Sequence, residues 1–402
     1  MNNGLLYQSE LLGAPRVPAT TSRKGKHLLR LIRAAQPITR TEIAERLSID
    51  KSTVTENVSP LVTSGILREE SLAAEGNKRR SRVLSFADDK TYFIGVNLGV
   101  RHSQVGFTTL RGEITDESEF ETPTNAGYAL RLARDRIDEL IRKNPNRELG
   151  VIGVSVPGMA DAARQKLIFA PNLNWRDVDI TMALNVNKNT RVVVENDSTA
   201  AAMYEARLKI RNSKDGLLTN FILVRSGTGI GVGLIIGSEV YRGSGAGRGI
   251  AGEFGHMTIV AGGKPCVCGN RGCWEKYASA ASAASLYLGD RPPARGESVP
   301  RFVEIVSKAE VGDTRSRRTL EKIGDYLGIG IANVIMGIGI PRVIISGRLV
   351  YGWKFIEEPL NAAIRRSIIG KIKGWSVEAG EPVGSAIGGA LEVAVEEYLS
   401  TV

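Results

Sequence analysis

Three cysteines fall within eight residues as Cys266-x-Cys268-x4-Cys273 on a glycine-rich stretch, and the 402-residue chain has no others. An odd number cannot pair off, and in a chain of this size clustered thiolates predict a metal site more readily than disulfides. Zinc takes four ligands, and of the three histidines only His256, ten residues before the first cysteine, lies near. A set of His256, Cys266, Cys268 and Cys273 closes the tetrahedron with no position left for water, which predicts a structural zinc. Three reduced, buried cysteines are the alternative. A second chemical signal is the charge of the first ninety residues, which hold fifteen Lys+Arg against ten Asp+Glu. Half of the +10 formal net charge thus sits in under a quarter of the length, the footprint of a polyphosphate partner or of a merely solvated basic surface.

Elements that position this charge are legible. Leu28, Leu29, Leu31 and Ile32, then Ile43, Ala44 and Leu47, then Val54, Val58, Leu61 and Val62 recur at helical spacing. Pro37 closes the first helix, and Thr39 with Glu42 makes a capping box for a second that starts near Arg40. Leu47-Ser48-Ile49-Asp50 is a tight turn, with Asp50 or Ser48 able to cap a third helix over 51–64: helix-turn-helix spacing. The third helix would present Lys51, Ser52, Thr53, Thr55, Glu56 and Asn57 to a major groove. Two strand-like runs, 66–70 and 82–86, flank Gly76-Asn77-Lys78-Arg79-Arg80, a basic hairpin tip resembling the wing of bacterial repressors. A three-helix module that binds protein is the alternative. Residues 1–22 are expected to be a mobile arm without chemistry.

A composition of 42% hydrophobic and 24% charged residues is that of a globular chain of two to three domains at ~150 residues each, which excludes a fibre, a disulfide scaffold and a disordered polymer. No run approaches the ~20 apolar residues of a membrane helix, and the N-terminus lacks the order of a signal peptide, so a cytoplasmic, nucleoid-associated protein without membrane insertion is expected. From Thr91 onward, strand-like runs alternate with helical ones, which indicates α/β lobes. Tyr92–Val96 and Phe221–Val224 each enter a glycine-containing turn and a second strand, about 130 residues apart, which suggests an internal duplication. The segment 383–399 reads as a long helix with small residues on one face.

Several blocks, in this order, resemble the ROK family of repressors, open reading frames and kinases: Val156-Pro157-Gly158, Pro171-Asn172-Leu173-Asn174-Trp175, Glu195-Asn196-Asp197, the loop Ser226–Gly233, Glu253-Phe254-Gly255-His256 and the run 266–275. The resemblance implies a two-lobed actin-like, sugar-kinase (ribonuclease H-like) fold behind the winged helix-turn-helix of residues 23–88. The first lobe would comprise 89–196 with 383–402; the second, 197–382, would carry the zinc site and an oligomerisation surface. It further implies that Asn172, Asn196, Asp197, Glu253, His256 and Glu275 bind a monosaccharide, with His256 touching both metal and sugar. Singly, each could be a cap or turn residue, since Asn196-Asp197 directly precedes a helix.

Asp197 would be the general base in a kinase of the family, and it is present. The first phosphate loop departs from the pattern: Asn97 stands for the magnesium-binding Asp, and Val100-Arg101 for the Gly-Thr of the turn. Ser346-Gly347 is likewise followed by Arg348, whereas the second glycine loop, Ser226–Gly231, is intact. Phosphoryl transfer depends on these parts, so a non-enzymatic sugar sensor with Asp197 as a vestigial base is expected. The implied function is a sugar-responsive repressor of carbohydrate-metabolism genes, forming a homodimer or tetramer on an A/T-rich palindromic operator. A ROK sugar kinase, and a repressor governed by a sugar-transport phosphotransferase component, are the rival readings.

Overall fold

The computed structural model describes residues 23–73, 80–87, 90–112, 114–187, 190–212, 219–244, 249–289, 298–382 and 384–401. The expected arm and the tip residues Lys78 and Arg79 lie outside them, and Arg80 is described as strand backbone only.

The head consists of α1 (Arg23–Ala35), β1 (Ile38–Thr39), α2 (Arg40–Leu47), α3 (Lys51–Thr63), β2 (Leu67–Ala73) and β3 (Arg80–Phe86). The capping box forms as expected: Thr39 Oγ1 accepts from Glu42 N, and Glu42 Oε2 accepts from Thr39 N at 2.8 Å. The turn divides the two candidate caps differently from the sequence reading. Ser48 ends α2 in the left-handed region at φ 52°, while Asp50 stands at the N-cap of α3 without a side-chain bond to it. A three-stranded sheet, β1-β3-β2, completes the winged helix-turn-helix, closed over buried Leu28, Ile32, Ile43, Val54, Val58, Leu61 and Phe86.

The body begins with β4 (Thr91–Asn97), β5 (His102–Thr109), β6 (Ile114–Glu121), α4 (Ala126–Lys143) and β7 (Glu148–Val156). A small sheet of β8 (Met159–Ala160), β9 (Lys166–Ala170) and β10 (Trp175–Asp179) follows, then α5 (Ile180–Leu184), β11 (Arg191–Asn196) and α6 (Asp197–Asn212). The second half runs through β12 (Asn220–Ser226), β13 (Ile230–Ile236), β14 (Glu239–Val240), α7 (Glu275–Ala278), α8 (Ser282–Leu288), α9 (Phe302–Glu310) and α10 (Thr314–Ile338). It ends with β15 (Arg342–Gly347), α11 (Trp353–Arg366), β16 (Ser376–Ala379) and α12 (Ser385–Leu399). The two five-stranded sheets have one plan. In the order β11-β7-β4-β5-β6, β4 pairs antiparallel with β5 and parallel with β7. In the order β14-β13-β12-β15-β16, β12 pairs antiparallel with β13 and parallel with β15. This is the duplication the strand–glycine–strand units suggested, and the two-lobed actin-like architecture.

The small-residue face of α12 has a packing cause. A Cβ at Gly389 would stand 2.8 Å from the Ala200 backbone, and one at Gly388 would stand 2.5 Å from the Tyr204 ring, so α12 and α6 cross in near-backbone contact. On its other side α12 lies against the first sheet, where a Cβ at Gly153 would meet Ala390 O at 2.2 Å. The chain's C-terminal helix is thereby buried from Ile387 to Val395. One hydrophobic cluster runs from head to body, joining Leu28 and Ile32 to Ala200, Met203, Val393 and Leu399. The head therefore shares a core with α6 and α12.

Candidate functional site

Between the lobes lies a 670 Å³ cleft whose lining includes Asn172, Asn196, Asp197, Glu253, His256 and Glu275. The residues expected to meet a sugar, drawn from a stretch of more than one hundred positions, are thus brought to one cavity. Asn196 ends β11 and caps α6: its Oδ1 accepts from Ser198 N (2.9 Å) and Thr199 N (3.1 Å), and its Nδ2 donates to Gly158 O (3.0 Å). The cap reading accounts for most of its hydrogen bonds, leaving one amide hydrogen for a ligand. Asp197 opens α6. Its Oδ2 accepts from Arg225 Nη1 at 2.9 Å and its Oδ1 from Ser198 Oγ at 3.0 Å. Sequence reasoning passed over Arg225, whose signal was a cation closing the apolar strand run Phe221–Val224 just before the glycine loop.

Glu253 and His256 sit on a single 3₁₀ turn, with Glu253 Oε2 3.8 Å from His256 Nε2. Burial, with Asp197 and Glu275 facing it, pushes the Glu253 carboxyl up to about 7. Glu275 starts α7 and is buried. The glycine loop reaches it so closely that a Cβ at Gly229 would lie 2.4 Å from Glu275 Oε2 and 3.8 Å from Asn172 Nδ2. Carboxylates, amides and bare backbone thus converge, the donor and acceptor set a neutral polyol needs.

The ligand atoms of His256, Cys266, Cys268 and Cys273 all lie within 4.8 Å of one another. Cys268 Sγ is 3.7 Å from Cys273 Sγ, and Cys266 Sγ is 3.6 Å from His256 Nδ1. Tetrahedral zinc with Zn–S of about 2.3 Å and Zn–N of about 2.0 Å requires S–S edges of about 3.8 Å and S–N edges of about 3.5 Å, which these two edges match, so the four residues could hold such an ion. Burial pushes the Cys266 thiol up, and its sulfur lies 3.2 Å from Glu275 Oε1, so a cation is what would favour the thiolate. His256 turns Nδ1 to Cys266 Sγ and Nε2 toward Glu253, one ring joining the cysteine loop to the cleft.

Asn97 also lines the cleft and is buried in a neutral network, its Oδ1 accepting from Ser155 Oγ (3.0 Å) and its Nδ2 donating to Gln104 Oε1 (3.3 Å). The turn that follows is tight, a Cβ at Gly99 falling 2.3 Å from His102 O. Arg101 and Arg348 are exposed in the lining of the cleft, Arg348 following Gly347 at φ 80°.

On the head, Lys51, Ser52, Thr55 and Glu56 are exposed on α3, while Thr53 and Asn57 are half-buried. Two of these side chains lie back on the helix: Thr55 Oγ1 donates to Lys51 O (2.9 Å) and Asn57 Nδ2 to Thr53 O (2.8 Å). A 530 Å³ groove between α3 and the wing strand is lined by Arg40, Thr55, Ser59, Glu69, Ser81 and Arg82, among others.

A winged helix-turn-helix on a duplicated two-lobed body with a polar cleft defines a DNA-binding regulator built on a sugar-kinase frame. The ROK family model matches residues 93–394 and a winged helix-turn-helix DNA-binding model matches residues 22–68; the chain belongs to the ROK family. It is 30% identical over 351 residues to the xylose repressor of Bacillus subtilis (strain 168), covering 86% of this chain and 88% of that one. The crystal structure of a ROK family transcriptional regulator, a homolog of the E. coli MLC protein, shares the fold with a TM-score of 0.73 at 20% identity, over 94% of this chain and 96% of that one. The ROK family glucokinase from Streptomyces griseus, in complex with glucose and AMPPNP, matches with a TM-score of 0.62 at 26% identity, over 76% of this chain and 99% of that one.

Proposed function

We propose that this chain is a sugar-responsive, DNA-binding transcriptional repressor whose kinase-like cleft binds a monosaccharide without phosphorylating it. The observation that carries the reading is one helix. α6 begins at Asp197 in the cleft and runs sixteen residues, about 24 Å, to the underside of the head. There the Arg46 guanidinium donates to Ile210 O, and α1 packs along α6. A sugar that prefers one lobe arrangement moves the N-terminus of α6, and the shared core carries that movement to α3. Only a difference in affinity between the two arrangements shifts the equilibrium.

The likeness to the xylose repressor makes xylose the first sugar to test. Glu253, Glu275, Asn172 and the free amide hydrogen of Asn196 supply the hydroxyl contacts; His256 Nε2 adds one that the metal loop orients. His256, Cys266, Cys268 and Cys273 would hold zinc, which supplies a rigid cross-link rather than chemistry. Turnover is disfavoured twice. Asn97 lacks the charge to hold magnesium, and Asp197, the residue that would take the hydroxyl proton, is ion-paired with Arg225. A symmetric homodimer would set the spacing of two α3 helices on a palindromic operator. Thermal-shift titration separates the readings: a sugar alone stabilises the sensor, whereas stabilisation that needs ATP with magnesium favours a kinase.

A further inference from the structure

Where the head meets the body, more positive charge is buried than is neutralised. Arg33 of α1 and Arg207 of α6 both turn to Glu392 of α12. Arg33 Nη1 ion-pairs with Oε1, and Arg207 Nη1 lies 3.6 Å from Oε2. Arg207 Nη2 donates to Gly112 O at 3.0 Å. Arg33, 2% exposed, still has Nε and Nη2 buried with no acceptor among the described residues, and so has Arg207 at Nε; Ser238 Oγ is buried without a hydrogen-bond partner, as is Glu392 Oε2. The carboxylates nearest to these groups are committed elsewhere, since Glu396 and Glu239 both bind Arg30, at 2.7 and 2.9 Å. Arg211 adds to the positive side, and burial together with Arg33 brings the Arg207 guanidinium down to about 10.

Beside these atoms a cavity of 50 Å³ opens, whose polar lining is Arg30, Arg33, Arg207 and Ser238 with the carboxylates Glu392 and Glu396. The space exceeds the roughly 10–15 Å³ that one water needs. Water would supply acceptors but no charge, and three guanidiniums facing two carboxylates leave one positive charge over. An anion supplies both at once. We propose that the cavity is an anion site, in which a chloride-sized inorganic anion held by Arg33, Arg207 and Ser238 completes the joint between the DNA-binding head and α6 and α12. Its occupancy sets how firmly the head follows α6. The proposal stands on the joint alone, whatever ligand the cleft takes.

The test uses the full-length protein, melted in sodium chloride, bromide and gluconate at equal sodium concentration. Halide should raise the Tm by about 2–4 °C over gluconate and the rise should saturate, as site binding does. Arg207→Gln leaves one guanidinium for one carboxylate and should erase the halide difference; Glu392→Gln enlarges the excess charge and should lower the halide midpoint severalfold. Crystals grown in bromide should show an anomalous peak between Arg33 and Arg207. A halide effect of equal size in wild type and Arg207→Gln, or bromide crystals with water alone at that place, overturns the proposal.

Discussion

Removing Glu392 should cost far more than removing Arg33, although the two are ends of one buried ion pair, 3% and 2% exposed. Arg33→Met leaves Arg207 facing Glu392 at 3.6 Å, one charge against one, and keeps an apolar stem in the core. The loss is then one charge-assisted hydrogen bond, about 1.5–3 kcal/mol, offset by the removal of two orphaned donors. Glu392→Gln instead strands two guanidiniums in the joint, the case of a buried pair broken on one side, at about 3–5 kcal/mol. The difference of about 2 kcal/mol is a factor of about thirty in the opening equilibrium of the joint. Hydrogen exchange of α1 amides measures that opening directly. In gluconate buffer, where no halide can compensate, α1 should exchange about thirtyfold faster in Glu392→Gln than in Arg33→Met. Equal rates, or faster exchange in Arg33→Met, would refute the charge accounting at the joint.

Three further outcomes follow from the same geometry. Cys268→Ser should lower zinc from about one ion per chain to a small fraction, read by metal analysis, because a hydroxyl is a poor substitute for thiolate; a wild type purified without zinc contradicts the cage. With ATP, magnesium and a panel of pentoses and hexoses, neither wild type nor Arg225→Leu should release ADP in a sugar-dependent way, since freeing Asp197 does not restore the charge missing at Asn97; turnover in either would reverse the assignment. Lys51→Ala should weaken binding to all DNA and reduce the slope of log affinity against log salt by about one unit, whereas Asn57→Ala should blur preference between operators by ~1–3 kcal/mol in gel-shift competition.

What could be read in advance was whatever the chain encodes locally. The four residues that could hold a metal lie within eighteen positions, and the Thr39–Glu42 cap within four, so residue type and spacing suffice to bring out both groupings. The duplicated sheets were legible because each lobe repeats the same strand–turn–strand signal. Asn196 shows the limit of type and position: the same side chain suits a cap and a sugar ligand, and only its three hydrogen bonds reveal that capping takes most of it. The Arg225–Asp197 pair joins a strand end to a helix start 28 positions away, a relation no periodicity reports. Farthest from view was the joint. Arg33 and Glu392 are 359 positions apart, and from sequence α1 and α12 read as two separate amphipathic and small-residue helices.

If a sugar in the cleft governs the head, operator binding must respond to that sugar. Full-length protein would be titrated onto the DNA upstream of its own gene, with xylose and other monosaccharides added in turn. One sugar should change wild-type operator affinity about tenfold or more, within the 5–150-fold range of typical coupling, while leaving Glu275→Gln, which alters a carboxylate lining the cleft, nearly unmoved. Operator affinity that no sugar shifts in the wild type, or that shifts equally in Glu275→Gln, would contradict the account.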